Sequence, residues 1–227
     1  MKASLSVQAR GASTTVFAAL FHQRNVVLDC GDVMSLTVGA QRTPLVREAN
    51  SGSGPVHYTA IVASPAAATT ATIALERPPP ATSAAATQVF LPASFALKDV
   101  APTVKVSASE DVRFRLDPPM KVDVPEATAD SVQLRVELEG PCLEPARFVW
   151  SKAGVFFPPL VKVDGAVILV NTRQFLARRG ADAACDVALR VTEFTRGVLD
   201  PAFAGPLAGP EPAVGSRHQE AVFRLEW

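Results

Sequence analysis

The sequence predicts an all-β protein built from two immunoglobulin-like antiparallel β-sandwich domains in tandem. Three observations support this prediction: several segments alternate strictly between apolar and polar residues, turn residues recur at short intervals, and helical patterns are scarce. Alternation with a period of two places every second side chain on the same face of a strand. Many short strands separated by turns are typical of sandwiches and barrels.

The clearest alternation lies in the second half of the chain. Val112, Phe114 and Leu116 are separated by charged residues, and the same pattern recurs in 132–138, 187–191 and 221–227. The weaker candidate strands are, in order, 3–10, 15–21, 26–30, 34–38, 56–63, 72–76, 87–91, 103–107, 148–150 and 166–170. Groups of Gly, Pro, Ser and Asp separate these segments, as expected for turns between strands.

One short helix is expected in the second half. Asn171 is suited to an N-cap and Gly180 to the residue after a helix, so Thr172–Arg179 could form at most two turns. The Ala-rich stretch 63–74 is interrupted by Thr, Ser and Pro, and we predict loop and strand there.

A domain boundary is predicted close to residue 92. A Pro- and Ala-rich stretch, 77–87, precedes the extended segment 91–102, which has the composition of a linker. The predicted domains are therefore residues 1–92 and residues 93–227. Domains of about 100–150 residues are common, so both pieces are long enough to bury a core.

Composition and charge exclude several classes of protein. Hydrophobic residues make up 48% of the chain and its formal net charge is +0, which does not fit a disordered protein. The neutral balance gives no electrostatic reason to expect nucleic acid as a partner. The chain also lacks an apolar run of about 18 residues, so we expect no membrane-spanning helix.

Cysteine placement suggests an oxidising environment. Cys142 follows one predicted strand and Cys185 begins another, and a disulfide between them is our expectation. The alternative is two unrelated buried thiols, because free cysteine is often buried. Cys30 then has no partner, and we interpret it as a core thiol.

The sequence carries no motif that would predict an enzyme. His22, His57 and His218 stand apart, and the usual metal, phosphate-loop, dinucleotide and nucleophile-elbow patterns do not occur. Asp29 and Asp32 could contribute to a Ca²⁺ site, but two local carboxylates are too few, and a turn that caps its own backbone is the better interpretation. We therefore expect no catalytic activity, no cofactor and no metal.

Two groups of residues are candidates for partner binding. Phe156 and Phe157 precede two prolines in an apolar segment that either covers one end of a sandwich or contacts a partner. Arg173, Arg178 and Arg179 form the densest basic group, which could bind an anionic polymer or merely be solvated at the end of the predicted helix.

The C-terminal region resembles a known group of proteins. Residues 195–203 (TRGVLDPAF), residues 216–223 (SRHQEAVF) and the two cysteines are similar to the last strands of uncharacterised bacterial envelope proteins, often lipoproteins, built of immunoglobulin-like sandwiches. The resemblance covers about a third of the chain and implies a place outside the cytoplasm, but no activity. This chain differs in lacking the N-terminal lipid-bearing cysteine.

These expectations combine into one hypothesis about function. We expect a non-catalytic binding or scaffolding protein of the bacterial envelope, periplasmic, attached to the outer membrane or secreted, whose signal sequence does not form part of this chain. Its partner would be a protein or an envelope polymer, contacted through loops and sheet edges, and it could self-associate through edge strands. We expect the N-terminal strand and the C-terminal strand that ends at Trp227 to be exposed edges available for such pairing. The alternatives are a carbohydrate-binding module and a hydrolase with an interdomain site, and a cytoplasmic location is the alternative to the envelope.

Overall fold

The structure is a computed structural model that describes most of the chain. The described residues are 2–10, 13–22, 24–25, 28, 31–48, 56–63, 65–106, 111–119, 133–151, 161–164, 166–172, 175–203 and 213–227. Within them the regular elements are strands in several sheets, with no α-helix, so the all-β prediction is confirmed.

The chain divides into two compact units. Unit 1 contains residues 1–93 and 195–217, and unit 2 contains residues 94–194 and 218–227. The predicted boundary after residue 92 lies next to the first of these divisions. The return of residues 195–217 to the first unit is a feature that the sequence did not predict, because alternation shows which side of a strand is buried but not where the strand pairs.

Unit 1 is formed by the N-terminal strands together with one end of each of two long C-terminal strands. Its strands are β1 (Lys2–Arg10), β2 (Ser13–His22), β3 (Arg24–Asn25), β4 (Val33–Val38), β5 (Gln41–Pro44), β6 (Val46–Arg47), β7 (His57–Ala63), β8 (Thr69–Glu76) and β9 (Ala84–Leu91). One sheet contains β1, β2, β7 and β6 in that order, and the other has the order β5-β4-β8-β9.

The core of unit 1 is shared by its two sheets, which makes the unit sandwich-like. Leu5, Val7 and Val16 from the first sheet are buried in one cluster with Leu36 and Ile73 from the second. β5 and β6 belong to one extended segment that changes sheets at the buried Leu45, whose N–H donates to the carbonyl of Met34 at 2.8 Å. The inward faces follow the alternation seen in the sequence, as in β8, where every second residue is buried.

Unit 2 contains the remaining strands. They are β10 (Ala96–Lys98), β11 (Thr103–Lys105), β12 (Asp111–Asp117), β13 (Gln133–Gly140), β14 (Leu143–Ser151), β15 (Val161–Asp164), β16 (Val167–Asn171), β17 (Ala184–Arg196) and β18 (Ala213–Glu226). The last residues of β17 and the first residues of β18 belong to unit 1.

Two sheets enclose the core of unit 2. One has the order β14-β13-β17-β18 with β11 parallel to β18, and the other has the order β10-β12-β16-β15. Phe114 and Ile168 from the second sheet share a buried cluster with Val136, Leu189 and Phe223 from the first. The predicted alternation in 112–116 is confirmed, because β12 buries every second residue from Val112 to Leu116.

The prediction that the terminal strands are exposed edges is wrong. In the strand order β1 lies between β18 and β2, and β18 lies between β17 and β1. Both strands therefore have neighbours on each side. Alternation could not reveal this, because central and edge strands of a half-buried sheet have the same period.

The prediction of a helix over Thr172–Arg179 is also wrong for the described part of that segment. Phe175 is buried and stacks on Phe148, with ring centroids 6.2 Å apart. The extended backbone that follows pairs with the start of β14, where Glu144 N–H donates to Leu176 at 2.8 Å and Arg178 N–H donates to Cys142 at 2.9 Å. Burial of the phenyl ring and these hydrogen bonds override the local capping signals.

Candidate functional site

The predicted disulfide between Cys142 and Cys185 is present in unit 2. Cys142 lies in the turn between β13 and β14, and Cys185 lies at the start of β17, which pairs with β13. Their Cα atoms are 5.7 Å apart and both side chains are buried. Gly140 permits this arrangement, because a Cβ at that position would lie only 2.9 Å from the carbonyl oxygen of Asp186 and 3.3 Å from the sulfur of Cys185. The bond joins the ends of neighbouring strands in one sheet.

The segment 195–203, which carried the resemblance, has a structural role in unit 1. We call it the edge clasp, because it lies along β9, the last strand of its sheet. Gln88 and Val198 form a two-way backbone bridge, with N–H to carbonyl distances of 2.9 Å and 2.8 Å. An unpaired strand edge is a template for unwanted association, and the clasp protects this one.

Side chains of the edge clasp complete the protection of β9. One carboxylate oxygen of Asp200 accepts from Ala86 N–H and the other accepts from Ala202 N–H, both at 2.8 Å. The backbone N–H of Asp200 donates to the hydroxyl of Thr87 at 3.0 Å, and the hydroxyl of Thr195 donates to the carbonyl of Phe90. Asp200 therefore uses its carboxylate and its backbone N–H in hydrogen bonds that stabilise the fold.

Two glycines allow the close approach to β9. A Cβ at Gly197 would overlap the carbonyl oxygen of Gln88, and a Cβ at Gly215 would overlap that of Phe90. Neither residue has an unusual φ angle in the structure, so proximity of the backbones is the reason for glycine at these positions.

Unit 1 also contains a buried arginine that sequence reasoning missed. Arg217 is only 2% exposed, and its guanidinium donates to the carbonyl of Pro92 at 2.8 Å and to that of Pro65 at 2.6 Å. A buried guanidinium must be hydrogen-bonded to offset its desolvation. These contacts make Arg217 a structural anchor for two proline-containing loop segments.

The best candidate for a functional surface is a line of charges on the outward face of unit 2. We call Arg147, Glu137, Arg190 and Glu220 the charged row. They lie on four strands in the order β14, β13, β17 and β18. Glu137 is the cross-strand partner of both Arg147 and Arg190.

At each end of the charged row the last two residues form an ion pair. Arg147 contacts Glu137 at 2.7 Å, and Arg190 contacts Glu220 at 2.8 Å. Along the row the side chains are 64%, 24%, 50% and 38% exposed. The charges alternate +, −, +, − across the sheet, and solvent reaches all of them.

Apolar surface lies beside the charged row. Val222 on β18 is 67% exposed, and Ala188 on β17 is also exposed. Farther along the same strands Arg224 and Asp186 form another ion pair at 3.7 Å. Alternation predicts that these residues face outward, but their neighbours depend on strand register, so sequence alone could not assemble the row.

The other predicted binding residues are only partly described. Arg178 and Arg179 are exposed in and next to a turn in which Ala181 N–H donates to Arg178 at 3.1 Å. Phe156, Phe157 and Arg173 lie outside the described residues. Of these five residues only Arg178 and Arg179 are therefore placed by the structure, and the proposed binding role of the group stays a prediction.

The predicted turn around Asp32 contains an ion pair. Arg77 Nε lies 3.2 Å from a carboxylate oxygen of Asp32, which is nearly buried. Asp29 and Cys30 lie outside the described residues. Among the residues that are described, no group of three or more His, Cys, Asp or Glu is placed to hold a metal ion.

The three histidines belong to different strands. His22 ends β2, His57 begins β7 and His218 lies in β18. The hydroxyl of the neighbouring Tyr58 is occupied, since it accepts from Leu28 N–H at 2.7 Å. Sequence reasoning assigned no role to these histidines.

Comparison with family models and with the sequences of curated proteins identifies no relative. No protein-family model matches the chain, and no curated protein matches its sequence. In the described part of the chain, no helix is long and apolar enough to cross a membrane.

Proposed function

We propose that this chain is a non-catalytic binding or scaffolding protein of the bacterial envelope, built from two immunoglobulin-like sandwiches. The observation that carries the proposal is the buried Cys142–Cys185 disulfide. Disulfides persist in oxidising compartments such as the periplasm and the extracellular space, and are rare in the cytoplasm. The resemblance of 195–203 to envelope proteins points to the same location.

The strand order of unit 2 supports the immunoglobulin-like assignment. β10, β12, β16 and β15 take the places of strands A, B, E and D, while β18, β17, β13 and β14 take those of G, F, C and C′. The disulfide differs from that of antibody domains, because it joins neighbouring strands of one sheet rather than the two sheets. Unit 1, with its two sheets around one core, would be the other sandwich.

The surfaces available for binding differ from those expected from the sequence. The edge of β9 is occupied by the edge clasp, and the terminal strands are not edges. Binding would therefore use loops and the outward face that carries the charged row. Exposed charges that alternate in sign can pair with complementary charges on a partner, and such pairing gives specificity.

The location is tested by trapping thiols in the bacterium that produces the protein. Cells are treated with a thiol-alkylating reagent before lysis, and the modified cysteines are identified by mass spectrometry with and without reductant. We expect Cys142 and Cys185 to be protected until reductant is added. Alkylation of both cysteines in the sample that received no reductant would place the chain in a reducing compartment and overturn the proposal.

The binding role is tested by co-sedimentation. The oxidised chain is mixed with envelope membranes or with isolated cell-wall sacculi, and saturable sedimentation with one of them is expected. The experiment is repeated with sacculi that were digested with protease before the chain is added. Sedimentation that persists indicates an envelope polymer, which includes the carbohydrate-binding alternative, whereas loss of sedimentation indicates a protein partner. No saturable sedimentation, or turnover of ester, peptide or glycoside substrates, contradicts the proposal.

A further inference from the structure

The charged row has a symmetry that its internal ion pairs do not require. From β14 to β18 the order of charges is Arg147, Glu137, Arg190, Glu220. Read in the opposite direction, every position carries the opposite sign. A row of this kind is complementary to its own reverse.

A two-fold axis parallel to the strands produces that reversal. Such an axis turns the sheet face towards a second copy and inverts the order of the strands, while the strand direction is kept. Arg147 then faces Glu220 of the second copy, and Glu137 faces Arg190 of the second copy. Two-fold interfaces bury the same patch on both subunits, so self-complementarity is what they need. Sheets that pack face to face keep their strands within about 30° of each other, which is compatible with facing rows.

Two further properties favour a second copy as the partner. The formal net charge of the chain is +0, so two copies have no overall electrostatic repulsion. Val222, 67% exposed, adds apolar surface beside the charges that contact between copies would cover. Isolated exposed ion pairs contribute little within one molecule, whereas a facing row would give each charge an additional opposite neighbour.

We propose that the outward face of unit 2 is a self-association surface, on which the charged row of one chain contacts the reversed row of a second copy. This inference deepens the proposed binding role and rests on it. The partner would be an identical chain, and the charged row would set the register of the two faces.

The test uses charge reversals at the two ends of the row. Full-length wild type, Arg147→Glu and Glu220→Arg are compared by sedimentation velocity and equilibrium over a wide range of concentrations. We expect wild type to form a dimer that high salt weakens, since exposed charges are screened. Each single variant places like charges opposite each other twice, and its association should be at least about tenfold weaker.

Mixing the two variants provides the decisive measurement. In a mixed dimer the glutamate at 147 faces the arginine at 220, and the remaining Glu220 faces the remaining Arg147, so association should return to the wild-type level. Lys98→Glu, which alters an exposed residue of the other sheet, is the control. Alone it should associate as wild type does. In a mixture with Glu220→Arg it should bind only to itself and leave Glu220→Arg dissociated, although the net charges match those of the first mixture.

Three results would overturn the inference: wild type that is monomeric at every concentration, a dimer that neither reversal weakens, or a variant mixture that stays dissociated. Circular dichroism and thermal melting verify that each variant is folded. Failure of this test leaves the co-sedimentation result unaffected, so a failure of the self-association proposal is distinguished from a failure of the proposed binding role.

Discussion

Thr14 offers a sharp test of the core of unit 1. Its side chain is fully buried on β2, where Ala9 and Val62 are its cross-strand partners. Its hydroxyl group finds no hydrogen-bond partner among the described residues. A buried polar group without a partner costs about 1–3 kcal/mol relative to one that is hydrogen-bonded.

The substitution Thr14→Val replaces that hydroxyl with a methyl group of nearly the same shape. No cavity is created, the β-branched side chain is kept, and the strand geometry still suits it. We therefore expect the free energy of unfolding to rise by about 1 kcal/mol, and the melting temperature by about 2–4 °C for a chain of this length.

The matched control is Thr87→Val. Thr87 is equally buried in the same unit, but its hydroxyl accepts a hydrogen bond from Asp200 N–H at 3.0 Å. Its loss leaves a donor without its partner, so a decrease of about 1–3 kcal/mol is expected. Urea titrations followed by circular dichroism measure both changes as shifts in midpoint at constant slope. If Thr14→Val destabilises unit 1 as much as Thr87→Val does, the reasoning is refuted.

Three further predictions concern the backbone that approaches β9 and the disulfide. Gly215→Ala should lower the free energy of unfolding by about 1–3 kcal/mol, because the new methyl group forces apart Gly215 and the carbonyl of Phe90; denaturant titration measures this. Asp200→Ala should cost about 1–3 kcal/mol and accelerate hydrogen exchange at the β9 amide that it caps. Replacing both Cys142 and Cys185 with Ala should lower the free energy of unfolding by about 3–4 kcal/mol on the chain-entropy model, because their sequence separation is 43 residues. Thermal melting is measured with and without reductant, and only wild type should lose stability when reductant is added.

Each of these predictions has a result that contradicts it. Gly39→Asn is the control for Gly215→Ala, because Gly39 has open space around it and a φ of +59° that Asn tolerates, so only a small change is expected. Equal effects of the two glycine substitutions would exclude backbone proximity as the cause. Unchanged exchange at Ala86 in Asp200→Ala would show that the carboxylate does not protect β9. If the double cysteine variant is as stable as wild type, the disulfide does not contribute to the free energy of unfolding.

Sequence periodicity predicted which residues point inward but not which strands meet. The alternation of Val112, Phe114 and Leu116 was sufficient to assign a half-buried strand, and β12 follows it. The same reasoning treated the N-terminal strand as an edge, although it is central. Face and position in a sheet are separate properties, and only the first is encoded in a period of two.

Long-range contacts explain the other differences. The Asn171 and Gly180 capping signals are local, and they yielded to burial of Phe175 against Phe148. The disulfide was predictable because both cysteines lie at strand ends in the sequence. The charged row and the edge clasp depend on registers between strands far apart in the chain, and no local pattern specifies them.

The edge clasp also sets an order of events during protein synthesis. Ala86 and Asp200 are separated by 114 residues, so at about 5–20 residues per second roughly 6–23 s pass before a ribosome that has made one has made the other. Throughout that interval the nascent N-terminal half presents a strand with unsatisfied amides and carbonyls. Export in an unfolded state, or a chaperone that shields the emerging chain, would spare it from premature aggregation.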